Sequence, residues 1–131
     1  MTTTYLDVLG GLDDSAAYKV PCAVATTSDM TSIMIGMPVI DGYQVQAGDR
    51  VLVWQNSDET SNGIYDVPQP GGASAWTRSV DFSNSSAIYE GTQVLVVNGT
   101  KWGGSIFGCK TQRPVIGTSP ITFQINNVLI G

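Results

Sequence analysis

The stretch Ala47–Val67, AGDRVLVWQNSDETSNGIYDV, constrains this chain more than any other. Two apolar runs, Arg50–Trp54 and Gly63–Val67, flank eight polar residues that carry two acids and end at Asn62, with Gly63 following. Runs rich in β-branched and aromatic side chains suit strands, and the polar middle suits the loop of a hairpin. Within the first run Val51 and Val53 face one way, Leu52 and Trp54 the other. Both faces are apolar. Such a strand is either central in a layered β fold or has its outer face covered by another chain.

More short strands follow from the same signals. Tyr18–Thr27 reads as a strand with Pro21 marking an edge or a bulge. Tyr43–Val45 leads into Ala47-Gly48-Asp49, a turn in which Gly48 takes positive φ and Asp49 bonds nearby N–H groups. Ala75–Ser79 places Trp76 and Arg78 on one face, an arrangement suited to a cation–π stack or a buried salt bridge. Gln93–Val97 repeats the two-sided apolar pattern, and Asn98-Gly99 is the strongest two-residue hairpin signal in the chain. Trp102–Gly104, Ser105–Lys110 and Ile121–Asn127 complete the count. Ser28–Gly42 shows no clean alternation, and Met30, Met34 and Met37 there suit flexible core filler before a partner surface. The expectation is an all-β fold with very little helix. It is a small antiparallel β-sandwich or partly open β-barrel of about seven or eight short strands.

The ends differ from this body. Residues 1–15 hold the apolar set Tyr5, Leu6, Val8, Leu9 and Leu12, broken by Gly10-Gly11 and followed by Asp13-Asp14. That set is too short to stand alone as a helix. It suits a cap on the chain's own core or an arm docking on a neighbouring subunit. Residues 16–127 form the β module, and 128–131 a tail in which Val128, Leu129 and Ile130 are apolar. An apolar tail points to packing against something. Docking through Met1–Leu12 and Val128–Ile130 is the reading adopted for both ends.

With 131 residues and 13.9 kDa the chain makes one domain with room for a core. Only 13% of residues are charged, which favours a hydroxyl-rich surface partly covered by neighbours. A net charge of −5 and scattered cations (Lys19, Arg50, Arg78, Lys101, Lys110 and Arg113) argue against nucleic-acid binding. Met1–Leu12 lacks the charged and apolar regions of a secretory signal, and no run approaches the roughly 20 apolar residues of a membrane span. Cys22 and Cys109 read as two buried small apolar side chains rather than as a disulfide.

Histidine is absent, which removes Ser-His-Asp and Cys-His nucleophiles and the commonest metal ligand. Asp29, Asp41, Asp49, Asp58, Glu59, Asp81 and Glu90 sit in turns or loops, where carboxylates have structural work enough. Asp58, Thr60, Asn62 and Gly63 follow the opening of a calcium loop, yet position 69 is Gln where the bidentate Glu belongs. A solvated hairpin loop is the reading for that stretch. Neither Gly71-Gly72 nor Gly103-Gly104 carries the Lys and helix of a phosphate loop. No catalytic residue, cofactor site or metal site emerges, and the chain reads as not an enzyme.

In sequence order the chain carries VATT at Val24–Thr27, VIDG at Val39–Gly42 and AGDRVLV at Ala47–Val53. NGIY at Asn62–Tyr65, AWTR at Ala75–Arg78, GTQVLVV at Gly91–Val97 and GTSPITFQI at Gly117–Ile125 follow. This series resembles a repeat module of tailed-bacteriophage virion proteins, especially tail fibres and related appendages, over about residues 18–127. The chain departs from that pattern at Phe107, where the family commonly has a Trp, and stands as one module with short extensions. The resemblance implies no catalytic residues. Asp49, Arg50, Asn62, Gly63, Tyr65, Trp76 and Arg78 match its motifs and are read as fold-makers. The implied role is a non-enzymatic structural protein of a tail fibre, collar or baseplate appendage, made in the host cytoplasm and placed on the virion. Its partners would be other virion proteins and copies of itself, as a homo-oligomer taken to be a trimer, with no membrane insertion. Rival roles are a capsid decoration protein on the head, a receptor- or glycan-binding module using Trp102, Tyr89 or Tyr43 as stacking platforms, and a polysaccharide-cleaving enzyme.

Overall fold

The computed structural model describes residues 19–69, 75–84 and 87–126. Among these, nine short strands run in chain order: β1 (Val24–Ala25), β2 (Val39–Ile40), β3 (Tyr43–Gln44), β4 (Arg50–Val53), β5 (Gly63–Asp66), β6 (Thr77–Arg78), β7 (Gln93–Leu95), β8 (Ile106–Cys109) and β9 (Phe123–Ile125). Helical structure among the described residues is limited to 3-10 turns, at Glu59–Ser61, at Val80–Phe82 and at Ala87. The fold is all-β. The terminal arm and tail, with Tyr5, Leu6, Val8, Leu9, Leu12, Val128, Leu129 and Ile130, lie outside the described residues.

The strands form a four-stranded sheet in the order β1-β4-β5-β6, a three-stranded sheet β7-β8-β9 and the hairpin β2-β3. The expected hairpin is present: β4 and β5 pair antiparallel with Val51 opposite Tyr65 and Leu52 opposite Ile64. Among the named strands one pairing departs from an antiparallel fold, and the isolated bridge between Cys22 and Val96 is parallel as well. β1 runs parallel to β4, with Val24 opposite Val51. The chain between them is long enough to cross over and return in the same direction.

The segment entering β1 joins the two larger sheets. Cys22 donates its N–H to Leu95 O at 2.8 Å and accepts from Val97 N at 2.9 Å, so it belongs to the edge of β7. Ala23 then donates to Arg50 O at 2.7 Å, and Thr26 to Leu52 O at 2.9 Å, so the chain has changed partner to β4. Cys22 and Ala25 both enter the same core cluster, with two residues between them where strict alternation allows one. Ala23 bonds to both sides, donating to Arg50 O and accepting from Asn98 N at 2.8 Å, and the chain turns a corner between the sheets there.

Two cores result, one on each face of β4. Leu52 and Ile64 pack with Cys22, Ala25, Phe82, Val94, Val96, Phe107, Cys109 and Phe123 between the two sheets. Val51, Val53 and Tyr65 pack on the opposite face with Val24, Met30, Ile40, Val45, Val67 and Trp76, under the β2-β3 hairpin and the loop before it. The two apolar faces of β4 are therefore both covered by this chain itself. Of the methionines, Met30 is buried, Met34 packs partly against the second core and Met37 is exposed.

Two turn expectations are corrected. The two-residue hairpin turn is Asp41-Gly42, with φ of 51° and 78°, the mirror-image turn that matches strand twist. Asn98-Gly99 instead opens a longer loop, closed by Val96 and Ser105 through a 2.9 Å bond. Trp102–Gly104 is a turn within that loop and not a strand. Gly103 N donates to Gly99 O at 3.2 Å, and a Cβ on Gly103 would come within 2.5 Å of that oxygen.

Candidate functional site

Each motif residue holds a turn or joins two segments. Asp49 Oδ2 accepts from Gln46 N at 2.8 Å and from the Tyr43 hydroxyl at 2.9 Å, closing the turn at Gly48, whose φ is 88°. The Arg50 guanidinium forks onto Asp81 at 3.0 and 3.2 Å and also reaches Val20 O at 2.9 Å. Asn62, 1% exposed, accepts from Asn56 N and donates to Ile121 O, each at 3.0 Å. The Tyr65 hydroxyl donates to Ser61 O at 2.6 Å, and Trp76 Nε1 donates to Gly36 O at 2.8 Å.

Arg78 is not stacked on Trp76. Its guanidinium lies over the Tyr65 ring, 5.2 Å from the centroid, and donates to Asn62 O at 2.9 Å and Thr60 O at 2.7 Å. The cause is the strand register: Arg78 is directly opposite Tyr65, and directly opposed residues share a face. Gly63 leaves room for this, because a Cβ there would stand 2.5 Å from Arg78 Nη1.

The loop read against a calcium pattern closes on itself. Asp58 Oδ1 accepts from Thr60 N at 3.1 Å and Thr60 Oγ1 at 2.6 Å, capping the turn at Glu59–Ser61. Among the described residues no group of three acids or cysteines is placed to hold a metal ion. Asp29 is held well below the usual carboxylate range, first by hydrogen bonds from the Thr31 and Ser57 side chains. Both cysteines are free and buried in the core between the sheets. Burial pushes the Cys22 thiol up to about 12 and raises Cys109 as well, which keeps both thiols protonated and unreactive at neutral pH.

The three aromatic residues considered as platforms sit on different elements. Tyr43 is on β3 with its hydroxyl on Asp49. Tyr89 is exposed under the Arg113 guanidinium, which is 5.7 Å from the ring. Trp102 packs edge-on against Trp54 at 5.4 Å and Phe107 at 5.8 Å, so its ring helps close the core. No ring contact among the described residues joins the three.

What stands out on the surface is one face of the three-stranded sheet. Val94 and Val96 point into the core, while Leu95 is 40% and Val97 55% exposed. Here the two-sided apolar pattern of Gln93–Val97 has no cover from the described residues. A shallow cleft of about 270 Å³ lies on this face, lined by Lys19, Pro21, Gln93, Val94, Leu95 and Ile106. That volume falls just short of the roughly 300–1,000 Å³ of small-molecule sites, and it suits a few aliphatic side chains better than a ligand. The alternation along Gln93–Val97 pointed to this face. The two neighbours that complete it, Pro21 and Ile106, come from distant segments and carried no such signal.

A second apolar stripe runs along the loop before β2 and into its first residue, where Ile33, Ile35, Met37 and Val39 are exposed at every other position. Ile35 bridges to Ala75, and Trp76 N donates to Met34 O at 3.0 Å, so this loop is pinned over the Trp76 side of the second core. Searches of protein-family models, of curated proteins and of solved structures found no match to this chain.

Proposed function

We propose that this chain is a non-enzymatic structural protein of a bacteriophage virion, part of a tail fibre, collar or baseplate appendage, assembled with other virion proteins and with copies of itself. The observation that supports this is the pair Leu95 and Val97, turned outward and 40% and 55% exposed, on a sheet whose other face packs Val94, Val96 and Phe107 into the core. Apolar side chains at the centre of a sheet face, bordered by the polar Gln93 and Gln124, have the make-up of a contact patch. The sequence resemblance to appendage modules supplies the kind of assembly, and the patch supplies a means of joining it.

Immunogold electron microscopy of the phage, with antibody against this chain, tests the reading. Label on the tail or baseplate is the expected result. Label confined to the head makes the chain a capsid decoration protein, and particles without label refute a place in the virion.

A further inference from the structure

The chain carries two Asn-Gly pairs, Asn62-Gly63 and Asn98-Gly99, and the fold treats them oppositely. In such a pair the main-chain nitrogen of the glycine can attack the side-chain amide before it, because no Cβ on the glycine blocks the approach. The first pair is locked. Asn62 is 1% exposed, its amide accepts from Asn56 N and donates to Ile121 O, and its carbonyl accepts from Arg78 Nη1 at 2.9 Å. Gly63 is paired with Val53 inside the sheet. The second pair is open. Asn98 is half-buried, and neither its side-chain amide nor the Gly99 N–H makes a hydrogen bond among the described residues. The bonds that hold this loop bypass both reacting groups. Asn98 N donates to Ala23 O at 2.8 Å, Gly99 O accepts from Gly103 N at 3.2 Å, and Asp41 holds Thr100, Lys101 and Trp102.

We propose that Asn98 is a site of spontaneous deamidation and isomerisation, closed by the Gly99 nitrogen into a succinimide that water then opens to aspartate or isoaspartate. The Gly99 nitrogen forms a bond to Asn98 Cγ, and the Cγ–Nδ2 bond breaks. Ammonia leaves, carrying the proton of the Gly99 N–H. Water then adds to the ring with no oxidation or reduction. Opening at Cγ gives an ordinary aspartate. Opening at the main-chain carbonyl of residue 98 gives isoaspartate, whose backbone runs through Cβ and Cγ and is one atom longer. The consequence follows from where the loop is tied. Upstream, Val97 N and Asn98 N bond to Cys22 O and Ala23 O; downstream, Thr100 N bonds to Asp41 O, and Lys101 N and Trp102 N to its carboxylate. A longer main chain between those fixed points no longer matches both. Either product also adds a negative charge one residue from Gly99, which abuts the Asp41 carboxylate. The modification therefore loosens the loop that packs Trp102 against Trp54 and Phe107.

The test ages the full chain in warm, mildly alkaline buffer and maps the products by peptide mass spectrometry. Labelling with an isoaspartyl methyltransferase separates isoaspartate from aspartate. In the folded chain Asn98 is expected to convert about tenfold faster than Asn62 or more, since Asn62 reacts only when the fold opens around it. In urea, where the dipeptide alone decides, the two are expected to convert at similar rates. Asn98→Gln, which would have to close a larger and slower ring, is expected to abolish labelling of that peptide. Aged chain enriched in isoaspartate is expected to melt below both the fresh parent and Asn98→Asp, the variant that carries the charge without the longer main chain. Equal, slow conversion of Asn98 and Asn62 in the folded chain overturns the proposal, as does labelling of the peptide that survives Asn98→Gln. Isoaspartate at position 98 with the melting curve of Asn98→Asp overturns the loosening of the loop by chain length.

Discussion

The carboxylate of Asp41 accepts the backbone N–H of Trp102 at 2.9 Å, although the two residues are 61 apart in sequence. The same carboxylate takes the N–H of Lys101 at 2.9 and 3.0 Å, and the Asp41 carbonyl takes that of Thr100 at 2.9 Å. The tight turn of the β2-β3 hairpin is therefore the peg around which the Asn98–Gly104 loop is wound. Gly99 abuts the carboxylate so closely that a Cβ would collide with it. Charge-assisted bonds to main-chain N–H groups are among the stronger hydrogen bonds.

Asp41→Ala is expected to destabilise the fold by about 1.5–2.5 kcal/mol, since it removes the acceptor of two main-chain N–H groups and puts alanine at a positive φ. Asp41→Gly removes the same carboxylate but tolerates that φ, and should recover about 1 kcal/mol of the loss. Urea denaturation of the two variants measures both parts. Equal losses would mean that the backbone conformation at this position contributes nothing.

Asn62 supports a second prediction. Its amide joins the β4-β5 loop to the strand entering β9 by accepting from Asn56 N and donating to Ile121 O. Asn62→Asp keeps the shape but replaces the donor with an acceptor facing a carbonyl, in a site 1% exposed. The expected cost at neutral pH is about 3–5 kcal/mol, as for a buried charge without a partner. Protonating the new carboxyl restores a donor, so the deficit should shrink as pH falls toward about 4. Thermal melts at the two pH values check this, and a deficit that does not change with pH would show that the Ile121 bond is not what the substitution breaks.

How much of this was legible beforehand depends on the range of the interaction. The hairpin Ala47–Val67 was readable because its signals are local: alternating faces, a polar loop, and Gly48 and Asp49 at a turn. The two cores flanking β4 were implied by apolar residues on both faces, but whether the cover came from this chain or another was not. Asn98-Gly99 misled because a dipeptide preference carries no information about Asp41, whose carboxylate holds the loop open into a wider path. The parallel pairing of β1 with β4 was hidden for a related reason, since the partner switch at Ala23 depends on contacts with Leu95 and Arg50 that no local pattern encodes. Arg78 was placed on the correct strand but given the wrong aromatic. Same-strand parity suggested Trp76, whereas the cross-strand register delivers Tyr65.

That register makes Arg78 the next position to test. Its guanidinium bonds two carbonyls in a fixed fork and covers the Tyr65 ring at once. A lysine ammonium carries the same charge but cannot reproduce the planar fork. Arg78→Lys is expected to cost about 1.5–3 kcal/mol, far more than a surface Arg→Lys exchange such as one at Arg113. Gly63→Ala, which leaves Arg78 in place chemically but pushes a methyl toward Nη1, should cost a similar amount, and the double variant less than the sum. A double-mutant cycle by urea denaturation reads the coupling, and strict additivity would separate Gly63 from Arg78.

Cys22 ties stability to alkaline pH. Burial raises its thiol from 9.0 to about 12, while the neighbouring Arg50 pulls the other way without reversing the shift. A folded-state value above the unfolded one means that the unfolded chain gives up its proton first as pH rises. The stabilisation is complete below about pH 9 and is lost progressively as pH climbs from 9 toward 12. Cys109, Tyr43 and Tyr65 are raised too and add to the loss in the same direction. Cys22→Ala removes one titrating group at the expense of a small void, so at pH 7 the variant should be less stable by about 1 kcal/mol. At about pH 10.5 the gap between variant and parent should narrow, because only the parent still has this thiol to ionise on unfolding. Urea midpoints at the two pH values measure the change, and parallel curves for the two proteins would contradict the burial of an ionisable thiol at this position.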